Sequence, residues 1–183
     1  MLPFLTTVDN DLIRSQLEEI YHLYNKDLLY IANEILKDPH EAEDVVQTAY
    51  IKIFYYLEKN IDIKCNKTRG LIVIIVRSIA INLYHQKKRR ATTDIDELEG
   101  MLKDEYFVDP EINVLRLDKS EWVARQLDKI KQEYADILTL KYEYDCSDRK
   151  IADLCCISEG NVRARLARAK KALYGVIEGD IYG

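Results

Sequence analysis

Among residues 161 to 171 the chain places five Arg or Lys and no acid, inside the stretch DRKIADLCCISEGNVRARLARAKKAL that runs from Asp148 to Leu173. Guanidinium and ammonium groups at that density hydrogen-bond to phosphate oxygens and to the acceptor edge of guanine. Their spacing sharpens the reading. Val162, Leu166, Ala169 and Leu173 recur at steps of four, three and four, which is one apolar stripe of a helix. At about 100° per residue the opposite side carries Gly160, Asn161, Ala164, Ala167, Arg168 and Lys171. Basic side chains alternate there with very small ones, which lets a backbone lie close to a groove floor. A solvated surface helix usually mixes both signs of charge, so the pattern favours contact with DNA over solvation alone.

Such a face needs elements to hold it. A first helix is expected from about Asp148 to Cys155, then a turn through Cys156 and Ile157, with Ser158 capping the second helix. Together they read as a helix-turn-helix. Further upstream, Asp38-Pro39-His40-Glu41 starts another helix, with Asp as cap, Pro at the first position and Glu at the third. This helix should reach about Leu57 and bury Ala42, Val45, Val46, Ala49, Ile53, Tyr56 and Leu57. Its outer side is unusual: Asp44, Gln47, Thr48, Ile51 and Tyr55 lie together. Two large apolar groups beside hydrogen-bonding ones suit a docking surface; packing on both sides within its own domain is the equal alternative.

A polar loop follows from Lys59 to Arg69, with Lys59, Lys64, Lys67 and Arg69 against Asp62. The next helix, expected from about Gly70 to Arg90, buries Ile72, Ile75, Val76, Ile79 and Leu83. It should display Arg77, Ser78, Ile81, His85 and Lys88 on its far side. Loop and helix face together would form a basic groove suited to a nucleic-acid strand whose bases are turned out of the stack. A solvated basic loop is the competing reading.

Composition bounds what this architecture can be. The 183 residues include six Gly and three Pro, and the long 3.6-residue periodicities point to an all-α protein. The formal net charge is −5, which argues against a free-standing, high-affinity DNA binder but leaves room for local basic patches on a protein delivered by a partner. The four Cys form no CxxC, and the adjacent Cys155 and Cys156 read as small buried residues in a reducing compartment. His22, His40 and His85 suggest no metal set, and no cofactor motif or catalytic constellation is present, so an enzyme is not expected. The N-terminus lacks a charged-then-apolar signal pattern, and the longest apolar run, Leu71 to Val76, is far too short for a membrane span; a cytoplasmic protein is expected.

Charge divides the chain into two small helical domains, 10–91 and 116–178. Between them, residues 92 to 115 carry eight carboxylates against a single Lys103 and read as a flexible acidic linker. Fully extended, it would reach at most about 80 Å.

Two stretches now carry a resemblance. LYNKDLLYIANEILKDPHEAEDVVQTAYIKIF followed by RGLIVIIVRSIAINLYHQKKRR resembles region 2 of bacterial sigma factors. YADILTLKYEYDCSDRKIADLCCISEGNVRARLARAKKAL resembles region 4. Both regions with an acidic segment between them are similar to the extracytoplasmic-function (ECF) group of the sigma-70 family. AEDVVQ followed at this distance by VRARLARAKKAL makes the likeness specific.

The resemblance implies a promoter-specificity subunit of RNA polymerase with no chemistry of its own. Asp44, Gln47, Ile51 and Tyr55 would dock on the clamp helices of the β′ subunit. Asn60, Lys64, Arg69, Arg77, Ser78, Asn82 and Lys88 would capture the melted −10 strand. The −35 element would be read from the major groove by Ser158, Asn161, Arg163, Ala164, Arg165, Ala167, Arg168 and Lys171, with Lys150 on a phosphate. The β flap and an anti-sigma factor would be further partners. Departures from the family pattern fall at Leu71, where Trp is usual, at Ser78 for Asn, at Asn82 for Asp, and at His85 for a basic residue. Ile130-Lys131 replaces Leu-Pro, and Lys150 replaces an acid. A stand-alone helix-turn-helix regulator is the alternative function.

Overall fold

A computed structural model describes residues 11–56, 62–91 and 121–182. Among them are seven α-helices and no strand: α1 (Asp11–Leu36), α2 (Pro39–Tyr56), α3 (Asn66–Ala91), α4 (Glu121–Asp128), α5 (Gln132–Tyr142), α6 (Asp148–Cys155) and α7 (Glu159–Tyr182). The chain divides into two compact units, α1 to α3 in one and α4 to α7 in the other. Leu57, Lys59, Asn60 and the acidic stretch 92–115 lie outside the described residues.

In the first unit α1 buries Leu17, Ile20, Leu28, Ile31, Ala32 and Ile35, the recurring apolar positions of one helical side. It ends where Lys37 turns left-handed at φ 55°. Asp38 then caps α2, its Oδ1 accepting from the backbone N–H groups of His40 at 2.9 Å and Glu41 at 3.2 Å. The buried side of α2 has Ala42, Val45, Val46, Ala49 and Ile53 as expected, with Tyr50 added, whereas Tyr56 is only half-buried. Tyr50 is fully buried, its hydroxyl donates to Asn25 Oδ1 at 3.2 Å, and desolvation raises its pKa well above the tyrosine range. That bond ties α2 to α1.

Helix α3 begins four residues earlier than expected, because its start is signalled by a sulfur. Thr68 N–H donates to Cys65 Sγ at 3.4 Å and Thr68 Oγ1 donates to the Asp62 carbonyl at 2.7 Å. The expected far side of α3 also needs correction. Arg77 is 3% exposed, Asn82 is 8% exposed and Ile81 is buried as well, while Ser78, His85 and Lys88 are half-buried. The cause is in the sequence: Leu71 to Val76 is apolar on every side, and a helix of that kind is stable only when enclosed. Both α1 and α2 pack on it.

In the second unit α5 buries Ala135 to Leu140, including the Asp136 carboxylate, which accepts from Gln132 Nε2 at 2.9 Å. Ser147 caps α6, its Oγ accepting from Lys150 N–H at 3.2 Å. Lys141 at the end of α5 meets Asp148 at the start of α6 at 2.7 Å. α6 closes on Cys156, in the left-handed region at φ 54°, ψ 43°. The Cys156 and Ile157 N–H groups return to the Asp153 and Ala152 carbonyls, a Schellman closure usually given to glycine. Ser158 caps α7, with Asn161 N–H donating to its Oγ at 3.2 Å.

Candidate nucleic-acid interface

The helix-turn-helix is formed by α6 and α7 with α5 behind them. Val162, Leu166 and Ala169 of α7 are buried, as are Ile151, Ala152, Leu154 and Cys155 of α6, so the shared apolar seam fixes the angle at which α7 is presented. Leu173 is half-buried. Opposite that seam, Ser158, Asn161, Arg163, Ala164, Ala167, Arg168 and Lys171 are all exposed, while Arg165 on the flank is half-buried. Lys150 is exposed in the first turn of α6. Two of the basic side chains of α7 make loose contacts within the chain. Arg163 pairs with Glu159 at 3.7 Å, and Arg168 Nε donates to the Ala164 carbonyl at 3.3 Å. Exposed pairs of this kind are weak and exchange readily for a phosphate or base acceptor. Gly160 has no neighbour closer than 3.8 Å to a Cβ built on it, so nothing in the fold itself requires glycine there.

One cation of α7 is engaged elsewhere. Lys170 stands over the Tyr142 ring at 5.5 Å, and the interaction with Tyr142 raises the Lys170 pKa. Its neighbourhood lies toward α5, on the flank of the exposed basic side of α7.

In the first unit the outer side of α2 is open. Asp44 and Gln47 are exposed, Ile51 is 43% exposed and Tyr55 77%, whereas Thr48 is half-buried and turns its hydroxyl to the Asp44 carbonyl at 2.9 Å. Of the two readings of this side, packing within its own domain leaves Ile51 and Tyr55 unaccounted for. The start of α2 is fastened to the end of α3 by Lys87 and Glu41 at 2.6 Å.

The basic loop keeps part of its expected set together. Lys64, Lys67 and Arg69 are exposed at the entry of α3, and the segment is pinned by Asp62, whose Oδ1 accepts from Lys64 N–H at 3.1 Å. Asn60 lies outside the described residues. Arg77 and Asn82 do not join Lys64 and Arg69 on an open surface; they sit in the enclosed body of α3. What local reading of the sequence misses is the acidic side of α1: Glu19 meets Lys64 at 3.2 Å and Asp27 meets Arg69 at 3.3 Å. Those partners are about forty residues apart, beyond any pattern of neighbouring positions.

Cys156 is also not the buried thiol expected. It is exposed at the turn, and of the adjacent pair only Cys155 is in the core. Among the described residues no cluster of His, Cys, Asp or Glu has the makings of a metal site, and no helix is long and apolar enough to cross a membrane.

Comparison with known proteins agrees with this division into two units. Residues 20–90 match sigma-70 region 2, and residues 120–173 match sigma-70 region 4. The ECF RNA polymerase sigma factor SigM of Bacillus subtilis (strain 168) is 26% identical over 161 residues, covering 86% of this chain and 94% of that protein. The ECF RNA polymerase sigma factor SigW of the same organism is 26% identical over 161 residues, covering 85% of each. The RNA polymerase sigma factor YlaC, also of that organism, is 26% identical over 163 residues, covering 87% of this chain and 91% of its own. With the two regions in order on two helical units, the second ending in a basic helix-turn-helix, the chain belongs to the sigma-70 family, as an ECF sigma factor.

Proposed function

We propose that this chain directs core RNA polymerase to promoters by three contacts. The outer side of α2, through Asp44, Gln47, Ile51 and Tyr55, docks on the β′ clamp helices. The exposed side of α7, through Asn161, Arg163, Ala164, Ala167, Arg168 and Lys171, enters the major groove at the −35 element, with Lys150 on a flanking phosphate. The entry of α3, through Lys64 and Arg69 with Asn60 just before them, takes the −10 strand once it opens, and Ser78 and Lys88 further along α3 extend that contact. Arg77 and Asn82, enclosed in α3, support that surface from beneath and are not assigned a base contact.

The observation that carries this reading is the α2 side. A stand-alone regulator has no need of Ile51 and Tyr55 held open beside an acid and an amide. Such a face suits a partner with complementary polar groups around an apolar centre. Mounting both units on one polymerase makes the second DNA contact effectively intramolecular, which lifts an otherwise weak grip to a specific one. Strand capture then offsets the stacking lost on melting, with no nucleotide hydrolysis by this chain.

The test is run-off transcription with purified core polymerase on a library of genomic fragments. New start sites that depend on this chain are the expected result. Failure to join core polymerase or to redirect initiation overturns the reading, and a footprint by the isolated protein on a palindrome at physiological salt would favour the stand-alone regulator. Asp44→Ala and Gln47→Ala should weaken core binding about tenfold or less while leaving sequence preference intact, as expected for interface truncations of roughly 1 kcal/mol.

A further inference from the structure

The first turn of α3 and the segment that leads into it are fastened to α1 at three points. The Tyr24 hydroxyl donates to the Ile63 carbonyl at 2.8 Å, and the Ile63 side chain is itself buried. On either side, Lys64 Nζ meets Glu19 Oε1 and Arg69 Nη2 meets Asp27 Oδ2. The three contacts differ in kind. The side chains of Lys64 and Arg69 are 73% and 45% exposed, so their ion pairs are weak and exchange for other anions. The Tyr24 bond is partly buried, and a carbonyl left there without a donor is costly. Burial also raises the Tyr24 pKa, which keeps the phenol protonated and able to donate. The tyrosine therefore fixes the backbone, and the carboxylates leave the two cations exchangeable.

We propose that Tyr24 is a positioning residue for strand capture: by holding the Ile63 carbonyl, its hydroxyl sets Lys64 and Arg69 in the orientation that receives a single-stranded phosphate backbone. This rests on the assignment of Lys64 and Arg69 to the opened −10 strand. A preordered loop avoids the ordering cost at the moment of binding. Loss of the hydroxyl should thus be felt when the strand is captured, and not in the earlier duplex complex.

The experiment uses the full chain with core polymerase on a promoter fragment recovered by the run-off selection. Core affinity, closed-complex affinity at low temperature and permanganate-reactive open complex are compared for wild type, Tyr24→Phe and Tyr30→Phe. Tyr30 is exposed on the same helix and takes no part in the proposed contacts. Expected is a loss of open complex of about three- to tenfold for Tyr24→Phe alone, with core and closed-complex affinities within twofold of wild type, the size of effect that ordering one short loop carries. Amide exchange across residues 63–69 should quicken in that variant while α2 keeps its protection. A Tyr24→Phe protein that opens the promoter as wild type does overturns the inference alone. If core affinity falls in step with open complex, Tyr24 is a residue of the fold and the inference is equally overturned. A wild-type chain that never engages polymerase takes down the underlying assignment as well.

Discussion

Arg168 lies near the middle of the exposed side of α7, its guanidinium turned back on the Ala164 carbonyl. The alanines at 164 and 167 leave space beside it, so in the proposed −35 contact an extended Arg168 would have room to reach a base edge. A bidentate Arg–guanine contact is worth about 1–3 kcal/mol of discrimination. Arg168→Ala is therefore expected to weaken holoenzyme binding to its own −35 duplex by that amount and to leave binding to a scrambled duplex nearly unchanged. Equal losses on both duplexes, with a shallower salt dependence, would instead make Arg168 a phosphate contact. Cys156 poses the opposite kind of question, since its place is set by backbone and not by reach. A residue with a Cβ in the left-handed region costs about 1–2 kcal/mol, part of which glycine returns through its larger unfolded-state entropy. Cys156→Gly should then slow amide exchange across α6 and α7 by an amount equivalent to about 0.5–1 kcal/mol. Faster exchange would mean that the Cys156 side chain itself stabilises the turn.

At the scale of elements, the junction of α5 and α6 is held by Lys141 and Asp148. The hydrogen bond from Lys141 is the main reason that the Asp148 carboxyl titrates below its ordinary value of 3.8; desolvation opposes it, and the charges of Lys141, Arg163 and Lys170 lower the value further. A carboxyl whose folded pKa is depressed contributes stability that is present above the unfolded value and disappears as pH falls through the folded one. The junction should thus hold at neutral pH and loosen only below about 3.8. An NMR titration of Asp148 should show a midpoint under 3.8 in the wild type and a return toward it in Lys141→Met. An unmoved midpoint would mean that some other group holds the carboxyl down. The same junction shows what the sequence made legible. Caps and apolar stripes are local, so the starts of α2 and α7, the span of α6 and the outward residues of α7 could all be read directly. Ser147, whose cap precedes α6, was open to the same logic. The start of α3 was not, because Cys65 sulfur stands in for the usual cap oxygen. Nor was the enclosure of Arg77 and Asn82, which depends on how many helices surround α3, nor the pairing of Lys64 and Arg69 with α1.

For the whole molecule the governing quantity is charge. Two basic surfaces, one on each unit, are carried by a chain of net charge −5, and the stretch 92–115 holds eight carboxylates against Lys103. Affinity for random DNA follows the number of phosphates that a protein neutralises and falls steeply with salt. Acids on the same chain compete for the same cations, so an isolated chain of this composition should hold random duplex weakly. In the proposed function, specific grip comes from the geometry in which a partner fixes the two units, where each contact raises the effective concentration of the other. Replacing the eight carboxylates with Asn and Gln raises the net charge by eight units while leaving both basic surfaces as they are. The expected outcome is a rise of roughly tenfold in the affinity of the isolated full-length chain for a random duplex at low salt, shrinking as screening sets in near 0.2 M. Fluorescence anisotropy across a salt series measures it, with promoter selection by the holoenzyme followed in parallel. A random-duplex affinity that stays level across the substitution would mean that this acidic stretch does not restrain the basic faces, and that the weak grip of the isolated chain is set by the two units themselves.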